Sequence, residues 1–196
     1  MTETSPQPYR EERGPSAAHV PGASLTPEAI YRAELPYVWH SLRRLGVRGA
    51  DIDDLTQEVF LRAFRSLGQY DPTRPLRPWL FSIAYRLAAD HRNLSRHRYE
   101  VAEDQDAVDP APGPDASVEV SQAKALTLRA LDAVSLERRA VFVLYELNGH
   151  TMPELATALD IPLNTAYSRL RLARAEFAEA VQRLSRQPKK GEAHGA

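Results

Sequence analysis

From Val101 to Glu119 the chain reads VAEDQDAVDPAPGPDASVE, and no other stretch limits the fold so strongly. It holds six carboxylates, three prolines and a glycine, with no lysine, arginine or aromatic residue. Such a segment lacks the apolar surface needed to offset the entropy of ordering it, so it reads as a linker rather than as part of a core. The chain has 196 residues, so each part it separates has room only for a small domain.

Both parts carry helical periodicity. Residues 1–24, with Pro6, Pro8, Pro15 and Pro21 and few large apolar side chains, read as a disordered tail. Thr26 can cap a first helix, Pro27 fits its first turn, and Gly46 closes a segment bearing Ile30, Val38, Leu42 and Leu45. Pro36 is expected to kink or restart that helix. A second helix is expected from Asp51 to about Leu67, capped by Asp51 or Asp53, with Leu55, Val59, Ala63 and Leu67 at helical spacing. After the turn-rich DPTRPLRP, Leu80, Ile83, Ala84 and Leu87 mark a third. Helical spacing returns near Ser117 and persists to about Leu184, ahead of the tail SRQPKKGEAHGA. No alternation of period two appears. The expectation is an all-α chain: a domain over 25–98, an acidic linker over 99–119, a second domain over 120–186 and a tail over 187–196.

The second part contains HTMPELATALDIPLNTAYSRLRLAR, residues 150–174. Thr151 and Glu154, with Pro153 in the first turn, make a capping-box pattern that fixes the start of a helix about two turns long. Leu155, Ala156 and Leu159 face a core, and Asp160 ends the helix as a residue that tolerates left-handed backbone. Pro162 suits the first position of the next helix. Helix, tight turn, helix is the helix-turn-helix pattern. In the second helix Ala166, Leu170, Ala173, Phe177, Val181 and Leu184 form one apolar stripe. Asn164, Ser168 and Arg171 point away from it, and Thr165, Tyr167, Arg169 and Arg174 lie on its flanks. Arginine binds guanine bidentately and small polar groups reach phosphates or base edges, so this helix suits the major groove. The alternative is a solvated amphipathic helix with incidental arginines.

A second basic cluster runs from Arg74 to Arg98, with six arginines, one carboxylate (Asp90), and Trp79, Phe81 and Tyr85. Aromatic rings among cations suit unpaired bases, although rings on bundle helices are also common core residues. Trp79 lies off the Leu80, Ile83, Leu87 stripe, on the face of Arg86, which favours its exposure. In DIDDLTQEVFLRAF, Asp54, Gln57, Glu58 and Leu61 share a face; Asp51 and Asp53 suit a helix N-terminus, whereas the Glu58 stripe suits a basic protein partner. The 25 basic and 26 acidic residues leave a net charge of −1, so nucleic-acid binding has to come from such local patches. There is no cysteine, no metal-ligand spacing, no glycine-rich phosphate loop and no nucleophile constellation, so neither an enzyme nor a metal or cofactor site is expected. His150 reads as a loop residue rather than a base. The first twenty residues show no apolar run behind a basic start, and 18 consecutive apolar residues occur nowhere. The expected location is the cytoplasm, without membrane insertion.

DLTQEVFLRAF followed by DPTRPLRPWLFSIAYRLAADH resembles region 2 of bacterial sigma factors of the extracytoplasmic-function class. LDAVSLERRAVFVLYELNGHTMPELATALDIPLNTAYSRLRLAR resembles their region 4, and both regions in this order make the resemblance specific. It implies a dissociable initiation subunit of RNA polymerase with no catalytic residue or cofactor of its own. Its implied partners are core RNA polymerase (the clamp helices of the largest subunit and the flap of the second largest), promoter DNA, and an anti-sigma factor. The resemblance assigns polymerase binding to Asp54, Gln57, Glu58 and Leu61. It assigns opening of the minus-10 element to Trp79, Tyr85, Arg86, His91 and Arg92. Reading of the minus-35 element falls to Asn164, Thr165, Tyr167, Ser168, Arg169 and Arg171, with Arg174 nearer the backbone. Asp160 stands where many relatives have glycine, and Tyr167 where the residue is often basic, so the minus-35 preference does not carry over. A conventional helix-turn-helix repressor or activator is the alternative; it leaves the DLTQEVF helix unexplained.

Overall fold

A computed structural model describes residues 26–99 and 118–186, and the described residues form helices and turns without a strand. The two tails and most of the acidic linker lie outside the described residues. Helix α1 (Pro27–Arg44) begins where Thr26 Oγ1 accepts the Ala29 N–H at 3.3 Å, as its sequence implies. It runs unbroken through Pro36, so the helix does not restart there. Glu34 before the proline and Val38, Ser41 and Leu42 after it are buried, which keeps the helix continuous despite the missing donor.

Helix α2 (Asp51–Arg65) has Ala50 at its N-cap position, without a side-chain cap, and not Asp51 or Asp53. Both aspartates sit in the first turn, where the helix dipole favours them, and both are engaged sideways. Asp53 Oδ1 accepts from Trp39 Nε1 at 3.1 Å, and Asp51 Oδ2 lies 3.1 Å from His91 Nε2. The helix stops short of Leu67 because the Ser66 hydroxyl donates to the Arg62 carbonyl at 2.9 Å and the chain tightens into a 3-10 turn, Leu67–Gln69. Helix α3 (Leu76–Tyr99) completes the first lobe around Val38, Leu42, Val59, Phe60, Leu80 and Phe81.

The second lobe comprises α4 (Val118–Asp132), α5 (Leu136–Phe142) with a wider π turn over Val143–Leu147, α6 (Met152–Leu159) and α7 (Leu163–Arg186). Leu131, Leu144, Leu155 and Leu170 are its largest fully buried aliphatics. Arg139 is sealed inside it: Nε and Nη2 donate to the Val134 carbonyl at 3.2 and 3.0 Å, and Nη1 donates to Asp132 Oδ1 at 3.2 Å. Burial, then the charges of Arg92 and Arg48, push its pKa down to about 10, so it stays charged at neutral pH.

The linker pattern suggests two separate bodies, yet the apolar interiors of the two lobes join into one buried cluster. α1 meets α4, and α3 meets α6. Gly46, in the left-handed region at φ +97°, is one close approach: a Cβ there would lie 2.6 Å from Arg139 Nη1. Beside it Val47 is buried and Arg48 pairs with Asp132.

Candidate nucleic-acid and protein interfaces

The helix-turn-helix geometry follows its sequence closely. Glu154 N–H donates to Thr151 Oγ1 at 3.4 Å while Thr151 N–H donates to Glu154 Oε2 at 2.8 Å, so both halves of the capping box form. Asp160 adopts φ 54°, ψ 51°, the left-handed conformation, and Ile161 N–H reaches back to the Ala156 carbonyl at 3.0 Å. Pro162 lies one place earlier than expected. It precedes α7 rather than opening it, and its carbonyl accepts the Ala166 N–H at 3.1 Å.

On α7, Ala166, Leu170 and Ala173 are buried and Asn164, Ser168 and Arg171 are exposed, as the stripe dictates. Ser168 turns its hydroxyl proton to the Thr165 carbonyl at 2.9 Å, leaving its oxygen to accept. Thr165, Tyr167 and Arg169 are half-buried on the flanks. Arg174 is exposed but engaged: its Nε donates to Glu146 Oε1 at 2.8 Å and its guanidinium lies 5.7 Å from the centre of the Tyr145 ring.

The α3 candidates are arranged differently. Asp71 accepts from the backbone and hydroxyl of Thr73 at 3.0 and 2.6 Å; these bonds hold its carboxyl below the usual range and set the turn before α3. Trp79 is half-buried and stacked on Tyr70 at 4.8 Å between ring centres, where its position off the core stripe predicts exposure. Tyr85 is also half-buried, and burial raises its pKa first; Glu137 of α5 raises it further and Arg169 of α7 opposes. Arg86 is exposed, Arg92 is half-buried, and half-buried His91 is turned onto Asp51. Trp79 and Arg86 line a cleft of about 580 Å³ whose opposite wall is α6, at Pro153, Glu154 and Thr157. The two candidate nucleic-acid surfaces therefore lie side by side.

On the remaining face, Asp54, Gln57 and Leu61 are exposed, with half of the Leu61 surface in water. Glu58 is half-buried and accepts from Arg62 Nε at 2.8 Å, one helical turn on. Among the described residues no group of His, Asp and Glu side chains could hold a metal ion, and no helix is long and apolar enough to cross a membrane.

Where the lobes meet, the structure assembles polar residues that sequence reasoning did not pick out. Arg44 Nη1 donates to Asn148 Oδ1 at 2.7 Å, Asn148 Nδ2 donates to Tyr37 Oη at 3.1 Å, and Tyr37 Oη lies 3.5 Å from His150 Nε2. His150 lies in the loop before α6, as its position suggests, and only 1% of it is exposed. The partners are more than 100 positions apart, and no local pattern links them.

Comparison with known proteins bears on both lobes. Residues 30–98 match the family Sigma-70 region 2, and residues 124–177 match Sigma-70, region 4. RNA polymerase sigma factor NccH of Alcaligenes xylosoxydans xylosoxydans is 30% identical over 71% of this chain and 78% of its own. ECF RNA polymerase sigma factor SigL of Mycobacterium tuberculosis is 31% identical over 80% of this chain and 91% of its own. Among solved structures, the sigma factor RpoE from Bartonella quintana, in complex with the anti-sigma factor NepR, superposes with a TM-score of 0.63 at 19% identity, covering 79% of this chain and 96% of that one. CnrH in complex with the cytosolic domain of CnrY gives 0.57 at 22%, covering 80% and 88%.

Proposed function

The chain belongs to the sigma-70 family, in its extracytoplasmic-function class, and from that membership we propose that it is a dissociable subunit directing RNA polymerase to a two-element promoter and helping to open it. One observation carries the reading furthest. α7 presents Asn164, Ser168 and Arg171 to solvent at the start of the second helix of a helix-turn-helix, where a recognition helix offers its base-reading side chains. A major-groove reader needs donors whose positions are set before binding, and the capping box and the Asp160 turn set them here.

The division of labour follows from the chemistry of each surface. α7 reads the minus-35 duplex through Asn164, Thr165, Tyr167, Ser168, Arg169 and Arg171, with Arg174 held by Glu146 near the backbone. α3 and the turn before it take the minus-10 element: Trp79 and Tyr85 supply rings for unstacked bases, Arg86 and Arg92 supply charge for phosphates, and His91 braces the helix against Asp51. The α2 face, with exposed Asp54, Gln57 and Leu61 beside Glu58, docks on core polymerase. Leu61 gives apolar area and the carboxylates match a basic partner. Among the solved structures of this fold, RpoE is bound to the anti-sigma factor NepR and CnrH to the cytosolic domain of CnrY, and a comparable protein partner is proposed for this chain.

Run-off transcription with core enzyme tests the proposal. Transcripts with a fixed start are expected only when both core and this chain are present. Glu58→Lys is expected to abolish them together with polymerase association, while circular dichroism stays that of the parent. Tight duplex binding by the chain alone, with no polymerase-dependent transcript, would leave a conventional helix-turn-helix regulator in its place.

A further inference from the structure

The two candidate reading helices are held on lobes that pack together, α3 against α6. Arg169 of α7 is close enough to Tyr85 of α3 to act on its titration, and α6 walls the cleft that holds Trp79 and Arg86. Elements named minus-10 and minus-35 are about 25 base pairs apart, or about 85 Å at about 3.4 Å per pair. Reading helices on lobes packed this closely cannot span that distance, so the closed arrangement has to open for promoter engagement. What holds it closed, and what would release it, can be read from the contact between the lobes.

His150 lies at the centre of that contact. It leads into α6 from Gly149, which takes φ +75°, and its ring is pressed on α1 with 1% of its surface exposed. Nε2 lies 3.5 Å from Tyr37 Oη, while Nδ1 has no hydrogen-bond partner among the described residues. Charged groups face this site from each neighbouring element. From α1, Arg44 binds the adjacent Asn148; from α3, Arg77 lies 5.1 Å from the centre of the Tyr37 ring and is paired with Glu34 of α1 at 2.8 Å; from α6, Glu154 Oε2 is 3.9 Å from Nδ1. Glu154 already accepts the Thr151 N–H, which divides its capacity to stabilise an imidazolium.

We propose that His150 is a proton-sensitive latch between the lobes: the neutral ring seals them together against Tyr37, and a charged ring releases them. Burial lowers the His150 pKa, Glu154 opposes, and Arg77 adds to the lowering. Parting the lobes lets water reach the ring and restores its ordinary value of about 6.5. A group whose pKa is lower in the closed state favours closure fully above the open-state value, and that preference is lost as pH falls. The closing equilibrium should therefore shrink by up to about tenfold per pH unit below about pH 6.5. The consequence for promoter binding rests on the function proposed above; the latch itself does not.

The chain has no cysteine, so dyes can be placed cleanly on it at R32C and R183C, two exposed positions on different lobes. Energy transfer should change reversibly between pH 7.5 and 5.5 as the lobes part, with far-UV circular dichroism constant. His150→Phe, which fills the site but does not titrate, should remove the response while keeping the pH 7.5 transfer value. A flat curve for the parent chain, or a His150→Phe curve that follows the parent's, overturns the latch. Loss of helical signal along with the transfer change overturns it as well, since the response would then be unfolding. Failure of run-off transcription at pH 7.5 with a normal transfer curve would strike the sigma reading and leave the latch standing.

Discussion

Helices α3 and α7 are both 24 residues long, both carry candidate nucleic-acid residues, and they offer them in opposite ways. α7 keeps Leu170 and Ala173 inward and holds Asn164, Ser168 and Arg171 in water, so its reading groups stand presented. α3 half-buries Trp79 and Tyr85, one on Tyr70 and the other toward Glu137 and Arg169 of the second lobe. The chemistry of the two proposed tasks would account for the difference. Hydrogen-bonding side chains lose little by waiting in water, whereas a stacking platform is a large apolar ring that the chain's own surface covers until a base replaces it. A groove reader can be complete in the free chain; a base-capturing surface is complete only when something moves.

The largest test asks whether the two helices belong to one cooperative body. Phe81 of α3 and Leu170 of α7 are each 0% exposed, and truncating them to alanine should cost about 3–5 and about 2–5 kcal/mol respectively. Both tryptophans, Trp39 and Trp79, lie in the first lobe, so their fluorescence follows the unfolding of that lobe. With a shared core, Leu170→Ala should lower the urea midpoint seen by tryptophan fluorescence as well as that seen by circular dichroism. A fluorescence midpoint that stays at the parent value while the dichroism splits into two steps would show that the lobes unfold independently.

A smaller effect is expected where α7 meets DNA. Arg171→Ala should weaken holoenzyme binding to a cognate promoter by about 1–3 kcal/mol, the range for losing a bidentate base contact, and leave random duplex nearly untouched. Equal losses on both DNAs would make Arg171 a phosphate contact, and α7 would then present fewer reading groups than its exposure implies.

How much of this was legible in the sequence depended on range. The capping box at Thr151 and Glu154, the left-handed Asp160 and the α7 stripe are local patterns, and each forms as its residues dictate. Local reasoning failed where a tertiary partner competed. Asp51 and Asp53 look like caps but are taken by His91 and Trp39. Pro36 looks like a break but is bridged by burial on both sides, and Trp79 looks exposed but finds Tyr70. The contact between the lobes was illegible because Tyr37, Arg44, Asn148 and His150 carry no pattern that ties them, and the acidic linker argues for separation rather than contact. The candidate residues on α2 and α7 came from periodicity with a family resemblance, while the burial of those on α3 needed the second lobe.

The smallest effects lie at the two ends of α6, the helix that both supports α7 and walls the α3 cleft. Thr151→Ala removes an N-cap acceptor and should cost about 1 kcal/mol. Asp160→Gly should act in the opposite direction. A non-glycine residue in left-handed backbone costs about 1–2 kcal/mol, less for aspartate, whose short polar side chain is tolerated there. Glycine relieves that strain but restores about 0.5–1 kcal/mol of unfolded-state freedom, so the net gain should be a few tenths of a kcal/mol, read as a slightly higher denaturation midpoint. A loss of 1 kcal/mol or more at Asp160 would mean that its carboxylate does more than tolerate the turn. The α6 wall would then be held from both ends by side chains, and the distinction between a presented α7 and a covered α3 would rest on α6 as much as on the helices themselves.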